Sequence, residues 1–355
     1  MIRDPKDRQV PRDIHLAVKE QDLTSVNGWR SGAKSLTLLG LYAVGVLVVV
    51  RGLRLGGVGG AALLAGAWAL MGLSLSSAVF AYHEATHGAL FRGRRRNAAA
   101  GTFWSCVVLT SYASYLHSHR EHHRRTNVPG DPQEFKEFDS VVDYVLFVVF
   151  ASTFYSAVLW GRAAGTAVGK GPAYMRRHRR KVVVDLALTS SVVAGAVGLT
   201  VAFPLAMLAF YWIPFLIQAV VVTPLVNIPE HYGLPKGQLS ALTTTRTTKT
   251  TRVLHFFLWH NNFHAEHHMH PGIPSHNLPL VHDLLGDRVI TEASYLRWHL
   301  ALIKSCTRSA RRRPAPAAPV LPGGPTPQDR EDDPEALVTP AGQSVPEAVR
   351  VPVAG

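Results

Sequence analysis

Half of the eighteen histidines in this chain stand in four short groups that are far apart in the sequence. Neutral imidazole is a common nitrogen ligand for iron and zinc. One ion takes about four to six donors, so nine donors that converge predict two ions in a dinuclear metal centre. The nine residues are His83, His87, His119, His122, His123, His231, His264, His267 and His268.

The spacing within three of the groups is helical. His83 and His87 lie four positions apart, and the groups that begin at His119 and His264 both follow the pattern i, i+3, i+4. Residues at these distances share one face of a helix. A single pair of this kind is as well explained by a solvated or capping pair. Four groups of the same chemistry favour metal binding.

The first group also matches His-Glu-x-x-His, the signature of zinc proteases in which the glutamate is the general base. A membrane zinc metalloprotease is therefore one alternative, although it needs only one further ligand. A metal-binding or transport protein is another, although transport would place ligands within the membrane spans. In a dinuclear centre, Glu84 is expected to orient a ligand imidazole or to be an exposed carboxylate at a helix end.

Long uncharged stretches must position these groups. Residues 55–82 and 186–229 carry no charged side chain, and each exceeds the roughly 20 apolar residues that cross a bilayer as a helix. The longer stretch predicts two helices that turn near Phe203-Pro204. The sequence thus predicts an integral membrane protein with spans at about 35–55, 60–82, 185–203 and 205–227.

Two further apolar segments are predicted to be interfacial or re-entrant. Histidines that share one centre must lie on one side of the membrane. Residues 98–116 separate the first and second groups, and residues 144–161 precede the hairpin that leads to His231, so neither is expected to be a single crossing. The predicted fold class is all-α integral membrane, with four transmembrane helices, membrane-interface helices and a cytosolic histidine-rich helical cap.

Charge and composition complete the predicted organisation. Residues 1–34 form a cytosolic segment without a signal-peptide pattern, 35–285 the membrane domain, 286–310 the end of the cap, and 311–355 a disordered tail rich in Pro and Ala. Lys and Arg concentrate between the second and third spans, which predicts cytoplasmic termini and a cytoplasmic active site in an inner or cell membrane. The net charge of +13 gathers beside apolar segments, which argues against nucleic acid. Two cysteines exclude a disulfide scaffold.

Two of the remaining polar features allow more than one interpretation. The Thr- and Arg-rich run at 243–252 is predicted to be a solvated loop or a docking surface for an acidic electron donor or lipid head group. Asp131 is expected to support a ligand or to start a turn with Pro132. The three histidines that follow the last group are expected to be exposed. They are His270, His276 and His282.

With these residues in hand, the chain resembles the membrane fatty acid desaturase and hydroxylase superfamily over about residues 60–285. The resemblance rests on His119-Arg120-Glu121-His122-His123-Arg124-Arg125-Thr126-Asn127 before Gly130-Asp131-Pro132, and on Trp259-His260-Asn261-Asn262-Phe263-His264-Ala265-Glu266-His267-His268 before Pro271-Gly272-Ile273-Pro274. Members carry three histidine boxes on a four-span scaffold with a cytosolic cap.

The resemblance implies that the nine histidines ligate two irons and that Asn227 acts through water. It also implies dioxygen as co-substrate, an external electron donor of ferredoxin or rubredoxin type with its reductase, and a lipid-embedded or carrier-bound acyl substrate. Glu84, Asp131 and Glu266 are then expected to support ligand imidazoles from behind. The expected activity is desaturation of a fatty acyl or similar lipid chain.

One stretch leaves hydroxylation open. Asn227-Ile228-Pro229-Glu230-His231-Tyr232-Gly233-Leu234 is similar to the corresponding stretch of membrane alkane monooxygenases. Both reactions begin with the loss of hydrogen from an unactivated C–H bond. Loss of a second hydrogen gives an alkene, whereas gain of an oxygen gives an alcohol, on an apolar or specialised-metabolite substrate.

Overall fold

The structure, a computed structural model, describes residues 10–134, 137–237 and 240–312, with side chains as far as 307 at the C-terminal end. Within these ranges the chain is almost entirely helical. The helices are α1 (Arg12–Glu20), α2 (Gly28–Leu55), α3 (Gly57–Thr86), α4 (Arg94–Val107), α5 (Tyr112–Arg125), α6 (Val141–Ala167), α7 (Ala173–Arg176), α8 (Arg179–Ala202), α9 (Pro204–His231), α10 (Ala241–Thr244), α11 (Arg252–Phe257), α12 (His264–Met269), α13 (Leu278–Leu285) and α14 (Tyr295–Arg312). Short 3-10 turns cover Ser275–Asn277 and Gly286–Arg288.

Five helices, namely α2, α3, α6, α8 and α9, are long and apolar enough to cross a membrane. The protein is therefore a helical membrane protein. The sequence predicts four spans and places residues 144–161 at the interface, whereas α6, which contains this segment, qualifies as a fifth candidate by its length and composition. The number of spans and the position of α6 in the bilayer stay predictions.

Helices α2 and α3 form a close hairpin. Gly56 and Gly57 link them with φ angles of 64° and 57°, a backbone region that glycine enters without steric cost. A Cβ atom on Gly60 would lie only 2.6 Å from the carbonyl oxygen of Gly52, so the two helices pack backbone to backbone. The start of α2 consequently lies at the same end of the hairpin as the end of α3, where His83 is found.

Helix α9 is irregular along its length. It contains two π-helical segments, Leu208–Trp212 and Ile217–Val222, and a proline follows each of them, Pro214 and Pro224. Proline has no N–H and clashes with the carbonyl of the preceding turn, and a wider π turn accommodates this. The irregular turns let α9 continue to His231 in spite of its prolines.

The segment 98–116, predicted to be interfacial or re-entrant, is divided between two helices, α4 and α5, and its position in the bilayer stays a prediction. Helix α4 ends at Val107 and α5 begins at Tyr112, and Leu109 in the connection between them has a φ of 55°. Asp185 of α8 holds the start of α5, because its Oδ2 accepts the Ser111 hydroxyl at 2.7 Å and the Ala113 N–H at 3.1 Å. The second histidine group is thereby carried on a separate helix with its own capped start.

The expectation of a solvated loop at 243–252 is also wrong for its centre. The Arg246 side chain is buried, donates to the carbonyl oxygens of Pro229 and Tyr232, and lies 3.4 Å from a carboxylate oxygen of Glu292. Its neighbours form a short parallel strand pair, β1 (Thr247–Thr248) with β2 (Thr291–Glu292). Residues 246–248 therefore connect the end of α9 to the segment around Thr291 and Glu292.

The predicted tail differs at its start. Arg311 and Arg312, which the sequence assigns to the tail, end helix α14. The rest of the predicted tail, 313–355, lies outside the described residues, as do the first nine residues of the predicted N-terminal segment.

Candidate metal centre

The nine histidines come together at one end of the helical bundle. The last turn of α3 and the residue after it carry the first pair, α5 carries three, α9 ends on the sixth, and α12 carries the last three. Eight of the nine are buried and His87 is half-buried. Helix ends from distant parts of the chain thus enclose one site.

Five of the imidazoles form what we call cluster A. Their potential ligand nitrogens all lie within 4.8 Å of one another. The Nε2 atom of His123 lies 3.0 Å from that of His119 and 3.2 Å from that of His267. The members of cluster A are His83, His87, His119, His123 and His267.

The other four imidazoles, His122, His231, His264 and His268, form cluster B around His231. The ligand atoms of His122, His231 and His268 lie within 4.8 Å of one another, and those of Glu230, His231 and His264 form an overlapping group. The Nε2 atom of His231 is 3.3 Å from that of His122 and 3.0 Å from that of His264. The nine predicted ligands therefore divide into two adjacent sets.

Hydrogen bonds on the outer side fix the imidazole tautomers. Three rings donate Nδ1–H to an oxygen outside the clusters, and a neutral imidazole has only one N–H. Their Nε2 atoms consequently carry lone pairs, which point into the clusters. The acceptors are Asp131 Oδ1 for His122 at 2.8 Å, Gln133 Oε1 for His119 at 2.9 Å, and the Thr244 carbonyl for His231 at 3.1 Å.

The site fits metal ions on this geometry. The Nε2 atoms of His83, His87 and His268 are buried without a hydrogen-bond partner within the described part of the chain. Buried polar atoms without a partner are costly and rare in folded proteins. One ion in each cluster would give these lone pairs a ligand bond, so the residues present suit a dinuclear centre.

Burial favours the neutral form of five cluster imidazoles that lie outside the long apolar helices, and the neutral form is the one that binds metal. Burial lowers the pKa of His267 to about 3, and the proximity of the His122 ring adds to this effect. For four other rings burial is again the largest cause, the other imidazoles of the site add to it, and the pKa lies well below its usual value. These are His119, His123, His264 and His268.

Asp131 lies behind His122, as the sequence suggests for a supporting carboxylate. Burial by itself would raise the pKa of Asp131, but the proximity and hydrogen bond of His122 and the N–H groups of Gln133 and Asn127, at 2.9 Å and 3.0 Å, lower it on balance. The carboxylate is therefore ionised at neutral pH and held on three sides. It fixes the ring of His122 from the side away from the metal position.

Glu84 and Glu266 form their hydrogen bonds with residues outside the two imidazole clusters. Among the described residues, Glu84 accepts the backbone N–H of Ser275 at 2.7 Å, and Glu266 accepts the Thr247 hydroxyl and contacts His282 Nδ1 at 2.5 Å. They tie α3 and α12 to neighbouring segments instead of touching a ligand imidazole. The expectation that His282 is exposed is wrong, because this contact half-buries it.

The structure adds partners that the sequence did not single out. Glu230 Oε1 accepts the Asn261 side-chain N–H at 2.8 Å and lies 3.4 Å from His264 Nδ1. The sequence signals for these two residues were their positions: Glu230 directly precedes His231, and Asn261 lies three residues before His264. Asn227, the predicted water-mediated ligand, is half-buried one helical turn before His231, and residues at this spacing share a helix face.

A buried, histidine-rich site at the end of an apolar helical bundle defines the class of helical membrane metalloproteins. Within this class the chain belongs to the fatty acid desaturase family, because the family's sequence model (Fatty acid desaturase) matches residues 60–300. The resemblance drawn from the histidine boxes is thereby confirmed.

Individual relatives agree with this assignment. Over 235 residues the chain is 25% identical to the sn-2 acyl-lipid omega-3 desaturase (ferredoxin), chloroplastic, of Helianthus annuus, covering 59% of this chain and 53% of that protein. Over 224 residues it is 27% identical to the omega-3 fatty acid desaturase, endoplasmic reticulum, of Vigna radiata var. radiata, covering 55% and 57%. The chain spans about half the length of these curated relatives.

Proposed function

We propose that the protein is an oxygen-dependent diiron desaturase that introduces a double bond into a fatty acyl or similar lipid chain. The observation that carries the proposal is the pair of clusters of buried imidazoles whose lone pairs converge. Family membership supports the reaction type. The names of the relatives support an acyl substrate.

In this proposal cluster A holds one iron, and cluster B holds the other with Asn227 acting through water. Two irons bound there would supply, with dioxygen, the oxidising power to break an unactivated C–H bond. The chain contributes orientation: Asp131, Gln133 and the Thr244 carbonyl hold three rings by Nδ1. It also excludes water, since nearly all of the ligand rings are buried.

Electrons are proposed to come from a separate donor with its reductase. The name of the Helianthus annuus relative specifies ferredoxin, which favours a ferredoxin-type donor over a rubredoxin. The same name specifies an acyl-lipid substrate for that relative, which supports a lipid-borne acyl chain here over one on a soluble carrier.

We also propose that four helices cross the membrane and that α6 lies along the interface, with the centre and both termini cytoplasmic. Two contacts between the ends of α6 and residues beside the histidines support this proposal. Just before α6, the Phe138 N–H donates to Tyr232 Oη at 2.9 Å, next to His231. In its last third, Arg162 donates to the Pro132 carbonyl at 3.3 Å, beside Asp131. A helix that crosses the membrane would separate its two ends by about 30 Å along the membrane normal.

Product analysis tests the reaction. The full chain is expressed in a host of known lipid profile together with a ferredoxin and its reductase, and lipids are compared by mass with those of a His267→Ala control. Acyl chains that have lost two hydrogens, only with the unmodified chain, are the expected result. Unchanged lipids in both strains would contradict the proposal.

Hydroxylation is the second candidate. The observation that favours it is the stretch 227–234, which resembles that of alkane monooxygenases. The same experiment separates the two, because gain of one oxygen without loss of two hydrogens identifies a hydroxylase.

A further inference from the structure

A basic pocket of about 280 Å³ opens at the start of α2, at the end of the molecule that holds the histidines. Arg30 and Lys34 enter it from the first two turns of α2, and Arg252 enters from the start of α11. Ser31 and Ser275 contribute polar groups to its wall. We call this depression the basic pocket.

The positive charge in the basic pocket is not neutralised by an adjacent carboxylate. Within the described ranges, neither Lys34 nor the two arginines forms an ion pair. The Lys34 Nζ atom lies 4.3 Å from the centre of the Trp259 ring and 5.0 Å from that of Phe256, contacts that favour the charged ammonium without neutralising it. The Glu84 carboxylate, whose charge reaches Lys34, is engaged by the Ser275 N–H.

Guanidinium and ammonium groups that converge on one pocket suit a phosphate. Arginine presents a planar fork of donors that matches phosphate oxygens, and lysine adds a point charge. Here the two types come from two different helices, Arg30 and Lys34 from α2 and Arg252 from α11, so a bound phosphate would contact both. The predicted ligand group is therefore an anionic phosphate.

Helix α2 also lines an apolar cavity of about 520 Å³, through Leu38 and Tyr42, and Trp104 of α4 is among the other residues that line it. Ser31, Lys34, Leu38 and Tyr42 are spaced by three, four and four residues, which places them on one face of the helix. At about 1.5 Å rise per residue, Tyr42 lies roughly 12 Å further along than Lys34. One helix face thus carries a cationic site and then an apolar one.

We propose that the basic pocket binds the phosphate of an anionic glycerophospholipid and that one acyl chain of this lipid occupies the apolar cavity. A free phosphate would use only the basic pocket. The amphiphilic arrangement along α2, a helix long enough to cross the bilayer, favours a lipid. This site does not require that the bound lipid be the one that is desaturated.

A lipid titration tests this site on the purified full chain loaded with metal in detergent. The probe is a fluorescent phosphatidylglycerol, compared with a diacylglycerol that lacks the phosphate and with inorganic phosphate as competitor. The double variant Lys34→Gln/Arg252→Gln is expected to bind phosphatidylglycerol at least about tenfold more weakly, since each charge-assisted hydrogen bond contributes about one factor of ten or more. Diacylglycerol should bind weakly to both proteins.

A matched control removes two cations from the other end of the same helix. Arg51 and Arg54 are exposed there, and Arg51→Gln/Arg54→Gln should keep the affinity of the unmodified chain. Equal affinity of the Lys34/Arg252 variant and the unmodified chain, or equal loss in the control, overturns the proposal. Inorganic phosphate that competes at the same concentration as the lipid would show a phosphate site without a lipid and also overturns it.

Measurement of metal content distinguishes a failure of the lipid-site proposal from a failure of the proposed function. The Lys34→Gln/Arg252→Gln variant should retain its metal, and His267→Ala should lose metal while it keeps its affinity for phosphatidylglycerol. If the double variant loses metal through misfolding, Arg252→Gln alone is used, because this residue is exposed. It should also bind phosphatidylglycerol more weakly, and an unchanged affinity in this variant overturns the proposal.

Discussion

His122 and His231 face each other with their Nε2 atoms 3.3 Å apart, although each ring donates its Nδ1–H to an oxygen on its outer side. Two lone pairs at this distance repel each other. The rings come from α5 and α9, 109 residues apart in the chain, so folding itself brings them together. A cation between them turns the repulsion into two ligand bonds, and metal binding should therefore stabilise the folded chain.

Removal of the charge behind His122 should weaken metal binding. Asp131→Asn keeps the size of the side chain but loses the ionised acceptor for Nδ1, and changes of this kind typically cost about 10–100-fold in metal affinity or activity. Metal retention against a chelator is the measurement. The matched control is Glu134→Gln, an exposed carboxylate that forms an ion pair with Lys236 on the surface. Unchanged retention in Asp131→Asn would contradict the role given to this residue.

Reporter fusions should place the loop after α6 on the same side as the C-terminus. A reporter inserted after Gly169 is expected to match one at the C-terminal end of the chain and to differ from one in the turn at Gly56. The reason is that an interfacial α6 returns the chain to the side from which it came. The comparison holds in whichever direction the protein is inserted. Agreement between the Gly169 and Gly56 reporters would show that α6 crosses the membrane.

The His282–Glu266 pair should stabilise the cap in a pH-dependent manner. The hydrogen bond to Glu266 raises the pKa of His282 above its usual value, against the opposing effect of burial. The stabilisation is therefore complete below the unfolded pKa of about 6.5 and is lost as the pH rises through the higher folded pKa. Thermal unfolding in detergent should show that His282→Gln lowers Tm most at pH about 5.5 and least at pH about 8.5. A difference that grows with pH would contradict this assignment.

Local patterns were sufficient to select the histidines that the structure brings together and to locate the long helices. His83 and His87 share a helix face by their spacing alone, and an uncharged stretch such as 55–82 identifies an apolar helix without any knowledge of its partners. Both signals are contained within a few turns of chain. This is why the sequence alone predicts that the nine histidines of the four groups lie close together.

Contacts between distant segments could not be predicted in this way. Gln133 and Thr244 hold His119 and His231 by Nδ1, but polar residues of these types are common in loops and carry no spacing signal. The sequence around Arg246 predicts a solvated cation, because its partners Pro229 and Glu292 are distant from it in the sequence and only folding brings them into contact. The break between α4 and α5 depends in the same way on Asp185, which belongs to another helix.

The central claim, that the nine histidines hold two irons, is tested most directly by metal analysis of the purified chain after growth with iron. Iron and zinc are counted by plasma mass spectrometry, and the iron environment is examined by Mössbauer spectroscopy. We expect about two coupled, nitrogen-ligated irons per chain, with fewer in His122→Ala and in His267→Ala. A single tightly bound zinc per chain, or full iron content in both variants, would contradict it.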